Sequence, residues 1–413
     1  MRIRLIILLA ALVCLQSSYA KQKKIKTGVW YGSFQLSETA QLPFLFEVKK
    51  QKKKREMYII NGDERILLDD IKGQGDSLFI QFPAFASEFR VQVKNKKNIS
   101  GRWYNHAKKG NYYLPFEGTF GIEERYPQGD PNFNVGGKWE VTFDYKTEPE
   151  KAIGVFSTVV SSFDKSGFSS NRVTGTFLTE TGDYRYLEGA VLADSLYLST
   201  FDGSHAFLFS AHFSNDTLWG EFRSGSHYKT EWFAVKNENV KLGDPDSLTY
   251  LVSEEPIHFS LPNVDGGNYT YPNETTKGKV TLIQIMGTWC PNCLDESNYL
   301  RGLKAEHGDD LEIIAVTYET QKTSEGRINK VKTYKENLNL DYTFLVGGTA
   351  CKSCATEMFS MLNEIISFPT VLFIDKKGEV RKIHTGFSGP GTGDYYSDFV
   401  TKTDSFVKSL INE

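Results

Sequence analysis

The fold of the C-terminal third of the chain follows from the segment VTLIQIMGTWCPNC, residues 280–293. Its first seven residues form an apolar run that predicts a buried strand, and Leu294, Leu300 and Leu303 predict a helix that ends near Gly308. A Cys-x-x-Cys pair between a strand and a helix places its first sulfur at the helix N-terminus. The free N–H groups and the helix dipole there stabilise a thiolate. The segment therefore predicts a dithiol that exchanges with other disulfides.

Composition and charge set the size and the class of the protein. The 413 residues are 40% hydrophobic and carry a formal net charge of −3. A chain of this length can form two or three domains with cores of their own. A charge balance so close to neutral gives no sign of a nucleic-acid partner or of a membrane-surface role. The basic run at residues 49–55 lies between strand-like segments and is interpreted as a solvated hairpin tip.

The first 20 residues have the pattern of a signal peptide. A basic start and an apolar run at residues 5–15 are followed by Ser18 and Ala20, which are small residues at the −3 and −1 positions of a cleavage site. The apolar run is too short for a membrane span. We therefore predict an exported protein of the periplasm or cell envelope. Cys14 raises the alternative of a lipoprotein anchor, which is disfavoured because Val13 is larger than the residue that lipidation needs there.

Residues 27–236 read as strands almost throughout, because Gly, Asn, Asp or Ser interrupts the aromatic and β-branched runs at short intervals. The region contains an internal repeat, since DSLFI at residues 76–80 recurs as DSLYL at residues 194–198. We divide it into two mainly antiparallel β-rich units, residues 21–126 and 132–236, each able to form a barrel or a sandwich. Their role is open, and a scaffold or docking platform is preferred to a cavity for an apolar ligand.

After a predicted linker at residues 237–256, the pattern changes to alternating strands and helices, which predicts an α/β domain over residues 257–413. The further predicted elements are strands at residues 311–316, 342–346, 370–374 and 379–384, a helix that begins at Ser324, a helix striped by Met358, Met361, Leu362 and Ile365, and a last helix at residues 395–411.

A second Cys-x-x-Cys pair, Cys351 and Cys354, follows a predicted strand and opens the Met-striped helix. An exported protein that used disulfides only as staples would scatter its cysteines, whereas this chain concentrates them in two short pairs. The C-terminal ends of parallel strands share an edge, so both pairs are expected on one side of the domain. The second pair is either a relay that exchanges electrons with the first pair or a local structural disulfide, and the structural disulfide is preferred.

Taken together, these features resemble the TlpA/ResA-like thiol-disulfide oxidoreductases, which have a thioredoxin fold. The resemblance covers residues 257–413. It depends on IHFSLP at residues 257–262, GTWCPNC at residues 287–293, Glu296, and SFPT at residues 367–370. A lone Cys-x-x-Cys would not be specific, whereas this combination is. One departure is Gln284, which stands where thioredoxin has a buried acidic residue, so any acid–base help would fall to Glu296.

The resemblance implies a role for each residue of the site. Cys290, at the helix start and partly exposed, would be the attacking thiolate, and Cys293 would resolve the mixed disulfide. Glu296 would carry the proton of Cys293 or raise its pKa, unless it is simply a solvated helix residue. Pro369 would follow a cis peptide bond and present backbone groups to a substrate strand. The residues expected to contact the substrate are Trp289, Pro291, Asn292, Phe368 and Thr370.

The implied function is an exported thiol-disulfide oxidoreductase that reduces protein disulfides with electrons from a membrane thiol transporter. No cofactor is expected apart from the redox-active pair Cys290 and Cys293, and no metal is expected. Three alternatives stay open: zinc held by the two cysteine pairs, a peroxidase on the same scaffold, and a protein that binds a ligand or partner through its β region. The long gap between the pairs disfavours zinc. The peroxidase is disfavoured because Gly287 stands where peroxiredoxins have threonine.

Overall fold

The structure, a computed structural model, describes residues 25–52, 54–158 and 171–413. The predicted signal peptide at residues 1–20, with Cys14, lies outside these residues. Within the described ranges, no helix has both the length and the apolar character that crossing a bilayer requires.

The first β-rich unit is an antiparallel meander that curls round on itself. Consecutive strands pair along most of the chain, and the first strand also pairs with the last. We call this unit the first barrel. Its described strands are β1 (Gly28–Gln35), β2 (Gln41–Gln51), β3 (Lys54–Asn61), β4 (Glu64–Leu68), β5 (Ile71–Gln74), β6 (Ser77–Gln81), β7 (Ser87–Val93), β8 (Asn98–Asn105) and β9 (Tyr113–Phe120).

The second β-rich unit, the second barrel, forms a closed ring of antiparallel pairs in the described part of the chain. Its described strands are β10 (Gly137–Phe143), β11 (Glu150–Thr158), β12 (Arg172–Thr179), β13 (Gly182–Asp183), β14 (Leu187–Leu192), β15 (Ser195–Phe201), β16 (Ala206–Ser214), β17 (Thr217–Ser224) and β18 (Tyr228–Lys236). The ring closes where β10 pairs with β18, and the two-residue β13 pairs with the end of β12. The two barrels confirm the predicted antiparallel β region.

Both barrels begin with the same local structure, which accounts for part of the internal repeat. Gly28 and Gly137 adopt φ angles of 118° and 103°, which a residue with a Cβ rarely adopts. Two residues later, the indole N–H of Trp30 donates to the backbone carbonyl four residues before it at 2.9 Å, and that of Trp139 does the same at 2.7 Å. Both tryptophans are buried, so each closes the start of its barrel in the same way.

Aromatic side chains pack the interiors of both barrels. In the first barrel the rings of Phe34 and Phe44 lie 5.0 Å apart, and Phe201 from the second barrel enters the same cluster, 4.7 Å from Phe34. In the second barrel, Phe177 lies 4.6 Å from Phe209. Small barrels are filled by side chains in this manner. A role of the β region in binding a ligand or a partner stays a prediction.

A buried charge also joins the two barrels. Arg125, in the connection between them, donates to the carbonyl oxygen of Ile60 in the first barrel and to that of Ser199 in the second. Its guanidinium also lies 3.5 Å from the carboxylate of Glu188. A buried guanidinium is tolerated where such acceptors surround it, so these contacts fix one barrel against the other.

The C-terminal domain contains a mixed five-stranded sheet preceded by a short hairpin. The described strands are β19 (Phe259–Pro262), β20 (Asn268–Tyr271), β21 (Val280–Met286), β22 (Leu311–Glu319), β23 (Thr343–Thr349), β24 (Thr370–Ile374) and β25 (Val380–Thr385), and the helices are α1 (Pro291–His307), α2 (Ser324–Asn337), α3 (Lys352–Met358) and α4 (Asp394–Asn412). Strands β21 to β23 are parallel, and β24 runs antiparallel beside β21. This order confirms the predicted thioredoxin-like α/β domain.

One predicted helix is shorter than expected. Helix α3 ends at Met358, and the other residues of the apolar stripe, Met361, Leu362 and Ile365, lie beyond it in an irregular segment. The cause is the linker, because the N–H of Val252 donates to the carbonyl oxygen of Met361 at 2.8 Å and so pairs with this segment. The stripe correctly marked buried residues but not their helical conformation.

The second half of the predicted linker, residues 237–256, is docked on the C-terminal domain. Asp246 Oδ1 lies 2.6 Å from His384 Nδ1, and the N–H of Tyr250 donates to Asn363 Oδ1 at 2.9 Å. This part of the linker therefore belongs structurally to the domain that follows it.

Candidate redox site

The Cys-x-x-Cys motif lies at the start of α1, as predicted. Cys290 is the N-cap residue, and its Sγ accepts a hydrogen bond from the N–H of Cys293 at 3.3 Å. Pro291 occupies the first helical position, where a missing N–H costs nothing. Both cysteines are free thiols. The arrangement gives Cys290 the polar environment of a helix N-terminus and leaves Cys293 fully enclosed, with 0% of its surface exposed.

The cis-proline loop lies against the motif. The Phe368–Pro369 peptide bond is cis, which confirms the expectation for this position. The thiol of Cys290 donates to the carbonyl oxygen of Phe368 at 3.5 Å, and the ring of Trp289 packs edge-on against Phe368. Thr370, expected to contact the substrate, is instead fully buried, and its hydroxyl donates to the carbonyl of its own loop. The loop thus supports Cys290, while Thr370 supports the loop.

Glu296 is a buried residue rather than a solvated one, with 1% of its surface exposed. Its Oε2 accepts a hydrogen bond from Gln284 Nε2 at 2.8 Å, whereas Oε1 has no hydrogen-bond partner among the described residues. Burial raises the pKa of Glu296 well above its usual range. Burial also raises the pKa of the Cys293 thiol, and the neighbouring Cys290 and Glu296 add to that rise. A carboxyl group that titrates late therefore lies beside a thiol that does not ionise easily.

The site contains a second buried carboxylate, which no sequence motif indicated. Glu319, the last residue of β22, accepts hydrogen bonds from the N–H and the hydroxyl of Thr288 at 2.8 Å and 2.7 Å. Burial raises the pKa of Glu319 to about 7. Its position at the C-terminal end of a strand next to β21 is a signal that could have found it. Glu319 holds the turn that leads into Trp289 and Cys290.

The second cysteine pair forms a disulfide between Cys351 and Cys354 at the start of α3. Strand β23, which precedes it, pairs with β22 up to Glu319, so the disulfide lies at the same sheet edge as Cys290. Two strand spacings separate the pairs in the sheet, about 10 Å. Direct exchange between the pairs therefore requires movement, and their relay remains a hypothesis.

The barrels cover the redox site. The hydroxyl of Ser204, in the second barrel, donates to the carbonyl oxygen of Trp289 at 3.0 Å, and Arg185 Nη1 donates to that of Pro291 at 3.1 Å. Cys290, which lies between Trp289 and Pro291 in the chain, is only 8% exposed. The expectation of a partly exposed thiol is wrong for this state of the protein, because the sequence of the C-terminal domain gives no information about what packs on it.

Substrate contact was expected from residues on both sides of the motif. Trp289 is half-buried beneath the barrels, Pro291 is buried, and Asn292 faces Gly182 of the second barrel. In this state the barrels therefore cover part of the surface that was predicted to contact a substrate. Within the described ranges, no group of three or more His, Cys, Asp or Glu side chains is placed to hold a metal ion.

Comparisons with known proteins agree with this site. A family model described as Redoxin matches residues 253–398. The chain is 26% identical over 128 residues to the thioredoxin-like protein YneN of Bacillus subtilis. The alignment covers 31% of this chain and 68% of that protein. The chain is 25% identical over 155 residues to the thiol:disulfide interchange protein DsbE of Escherichia coli, in an alignment that covers 37% of this chain and 75% of that one.

Among solved structures, a thioredoxin-family thiol:disulfide interchange protein from Chlorobium tepidum aligns with 19% identity and a TM-score of 0.30. That alignment covers 39% of this chain and 99% of the other.

Proposed function

We propose that this chain is an exported reductant of protein disulfides, because its C-terminal domain matches the Redoxin family and is similar to thioredoxin-like and thiol:disulfide interchange proteins, as expected of a TlpA/ResA-like oxidoreductase. One observation carries the proposal: the Sγ of Cys290 lies at a helix N-terminus and 3.5 Å from the carbonyl oxygen of Phe368 in the cis-proline loop, with Cys293 enclosed behind it. This geometry supports a nucleophilic thiolate backed by a resolving thiol.

Exchange proceeds in two steps. The Cys290 thiolate attacks one sulfur of the substrate disulfide, and the other substrate sulfur leaves as a thiolate. Cys293 then loses its proton and attacks Cys290 Sγ, which releases the second substrate thiol and leaves a disulfide between Cys290 and Cys293. Two electrons pass from the enzyme dithiol to the substrate, so a dithiol donor must reduce the enzyme again.

Glu296 accepts the proton of Cys293 in the second step. The pKa of the Cys293 thiol is raised by burial, so this thiol needs a base near neutral pH. The pKa of Glu296 is raised as well, and a carboxylate with a raised pKa is a stronger base than an exposed one. In the reverse direction, the protonated Glu296 returns the proton to Cys293.

The proposed place of action is the periplasm or the cell envelope, because residues 1–20 have the pattern of a cleaved leader. An oxidising compartment lacks the reducing pool that would restore the dithiol after each turnover. The electron donor we propose is therefore a membrane protein that transfers reducing equivalents to Cys290 and Cys293. A lipid anchor at Cys14 is the minor alternative to a freely released protein.

The test is the reduction potential of Cys290 and Cys293 in the full chain, measured in a glutathione or dithiothreitol redox series and resolved from Cys351 and Cys354 by mass spectrometry. A potential near that of thioredoxin, about −270 mV, is expected of a reductant. A value near about −120 mV would instead identify an oxidant that introduces disulfides. Absence of any exchange at Cys290 would remove the proposal.

A further inference from the structure

A short segment of the second barrel lies directly on the redox site. We define it as the cap, residues 179–185; it contains the turn between β12 and β13 and the residues that follow. The cap is remote from the motif in sequence, since more than a hundred residues separate Arg185 from Cys290. Its contacts fall on both sides of Cys290, on the cis-proline side and on the helix side.

On the cis-proline side, the backbone of the cap touches the loop that would receive a substrate strand. The hydroxyl of Ser367 donates to the carbonyl oxygen of Thr181 at 3.5 Å. Gly386, whose N–H donates to the carbonyl oxygen of Pro369, lies so close that a Cβ built on it would be 2.5 Å from the Thr181 carbonyl. No room is left between these two backbones for another chain segment. The cap therefore occupies the edge at which a protein substrate would pair.

On the helix side, the cap touches the motif itself. A Cβ built on Gly182 would lie 2.1 Å from Asn292 Nδ2, so the backbone of the cap lies directly against the side chain of Asn292. The carboxylate of Asp183 accepts a hydrogen bond from the N–H of Gly389 at 2.6 Å. These contacts close the cap over the middle residues of the Cys-x-x-Cys motif.

Arg185 holds the cap in place through hydrogen bonds and ion pairs. Its guanidinium donates to the carbonyl oxygen of Pro291 at 3.1 Å and to the carboxylate of Asp295 on α1. It also lies 2.6 Å from Glu64 of the first barrel and 3.5 Å from Asp202 of the second. One buried cation thus holds all three folded units together at the redox site, and losing it would leave buried carboxylates without a counter-charge.

The backbone of Arg185 also departs from ordinary geometry. Its φ angle is 60°, in the left-handed region that residues with a Cβ seldom adopt. Strained backbone of this kind persists where the surrounding structure demands a particular side-chain position, and it concentrates at functional sites. The strain at Arg185 is therefore a second, independent sign that the placement of its guanidinium matters.

We propose that the cap is the specificity-determining element of the redox site and that Arg185 is its latch. With the cap closed, a small thiol or disulfide reaches Cys290, whereas a protein disulfide reacts only after the Arg185 contacts break and the cap leaves the cis-proline loop. This inference rests on the proposed function for the exchange itself. The accessibility of Cys290, however, is a property of the fold and can be measured separately.

The experiment measures alkylation of Cys290 in the reduced full chain by iodoacetamide and by a maleimide carrying a polyethylene glycol chain, with peptide mapping by mass spectrometry. Each rate is divided by the rate of the same reagent with glutathione. In the wild-type protein, the bulky reagent is expected to be much slower than the small one after this correction. Arg185→Gln is expected to raise the ratio of bulky to small reagent about tenfold or more, since it shifts the closed–open equilibrium.

The matched control is Arg223→Gln, because Arg223 lies on the second barrel, pairs with Glu221 and makes no contact with the motif. If Arg185→Gln loses its native circular dichroism, Asp183→Ala carries the same test, because it removes the acceptor of the Gly389 N–H. Equal corrected rates for both reagents in the wild-type protein would overturn the proposal. An unchanged ratio in a folded cap variant would overturn it as well.

A second arm follows reduction of glutathione disulfide and of insulin by the reduced protein in single turnovers. The proposal expects Arg185→Gln to accelerate insulin reduction relative to glutathione disulfide reduction. If neither disulfide reacts while the alkylation ratios behave as expected, the proposed exchange activity is wrong and the role of the cap in controlling access to Cys290 is supported. If both disulfides react and Arg185→Gln does not change the ratio of insulin reduction to glutathione disulfide reduction, the exchange activity is supported and the proposed role of the cap is wrong.

Discussion

Cys290 and Cys293 differ most in what surrounds each sulfur. Cys290 is the N-cap residue of α1 and retains a small exposed area, whereas Cys293 is completely enclosed. We expect Cys293→Ser to accumulate a mixed disulfide between Cys290 and the substrate, because the resolving thiol is gone. Intact mass spectrometry after incubation with a disulfide substrate detects this adduct. Cys290→Ser should form none, and an adduct on that variant would reverse the two assignments.

Glu296 predicts a pH dependence of stability. Its pKa in the folded state is raised above the unfolded value of about 4.5, so the folded protein binds the proton more tightly. The stabilisation is complete below the unfolded pKa and is lost as pH rises towards the folded pKa, with a slope of up to about 1.4 kcal/mol per pH unit. In the oxidised protein, the free energy of unfolding of the wild type should therefore fall between pH 5 and pH 8 relative to that of Glu296→Gln. Chemical denaturation at several pH values measures this difference, and parallel curves would contradict it.

The motif residues were predictable from the sequence because their chemistry is local. Cys290, Cys293 and Pro369 carry recognisable neighbours on either side, and the structure places all three together. Glu319 and Arg185 carry no such neighbours. Their significance depends on contacts with segments far away in the chain, which a single sequence does not reveal.

At the scale of elements, the end of β22 steadies the turn before α1. The N–H of Thr288 is buried and donates to Glu319. Glu319→Ala should leave that donor unsatisfied and destabilise the protein by about 1–3 kcal/mol, and it should slow exchange at Cys290 because the turn loosens. Urea unfolding and single-turnover kinetics measure the two effects.

Glu319→Gln keeps one oxygen acceptor for Thr288 and should show a smaller loss in both measurements. The exposed Glu336→Ala on α2 is the control for removing a glutamate. A loss of stability in Glu336→Ala as large as that in Glu319→Ala would argue against the role of Glu319 in holding the turn.

The disulfide that opens α3 has a testable role of its own. If Cys351 and Cys354 are a structural pair, the double variant Cys351→Ser with Cys354→Ser should retain wild-type turnover of a disulfide substrate and show a lower melting temperature. A relay predicts the opposite balance, with reduced turnover. Steady-state assays and calorimetry distinguish the two, with Cys290→Ser as the inactive reference.

The helices and strands predicted most accurately were those in which apolar residues recur at regular spacing or form one continuous run. The strand at residues 280–286 and the helix that follows it agree closely with β21 and α1. The stripe that includes Met361 and Ile365 failed, because the linker pairs with that segment and takes the place of helical hydrogen bonds. Apolar spacing reports which residues are buried, and here a distant segment decided the backbone conformation.

At the scale of the whole molecule, the two barrels were predictable as units because their turn residues and their repeat recur along the chain. Their mutual arrangement was not. Phe201 enters the aromatic cluster around Phe34 in the other barrel, and Arg125 bonds to both barrels. Contacts of this kind join residues separated by many strands, and no local pattern encodes them.

Arg125 gives a prediction for the joined barrels. Arg125→Met should lower the free energy of unfolding by about 3 kcal/mol, because the buried Glu188 loses one of its cationic partners. Guanidinium denaturation measures the change. Arg223→Met is the matched control and should cost far less, because Arg223 is only partly buried and its partner Glu221 lies in the same barrel. Equal losses in the two variants would show that Arg125 has no special role between the barrels.

The docked linker limits how far the catalytic domain can travel. Its second half moves with that domain from Pro245 onward, and its start is held to the second barrel where the N–H of Asn237 donates to Lys138. Seven residues lie between these anchors, and a fully extended chain of that length spans about 25 Å. The linker therefore keeps the domain that carries Cys290 close to the barrels. The whole catalytic cycle of this domain takes place within about one domain's width of the barrels, so thiol-disulfide exchange with a large substrate must take place beside the barrels.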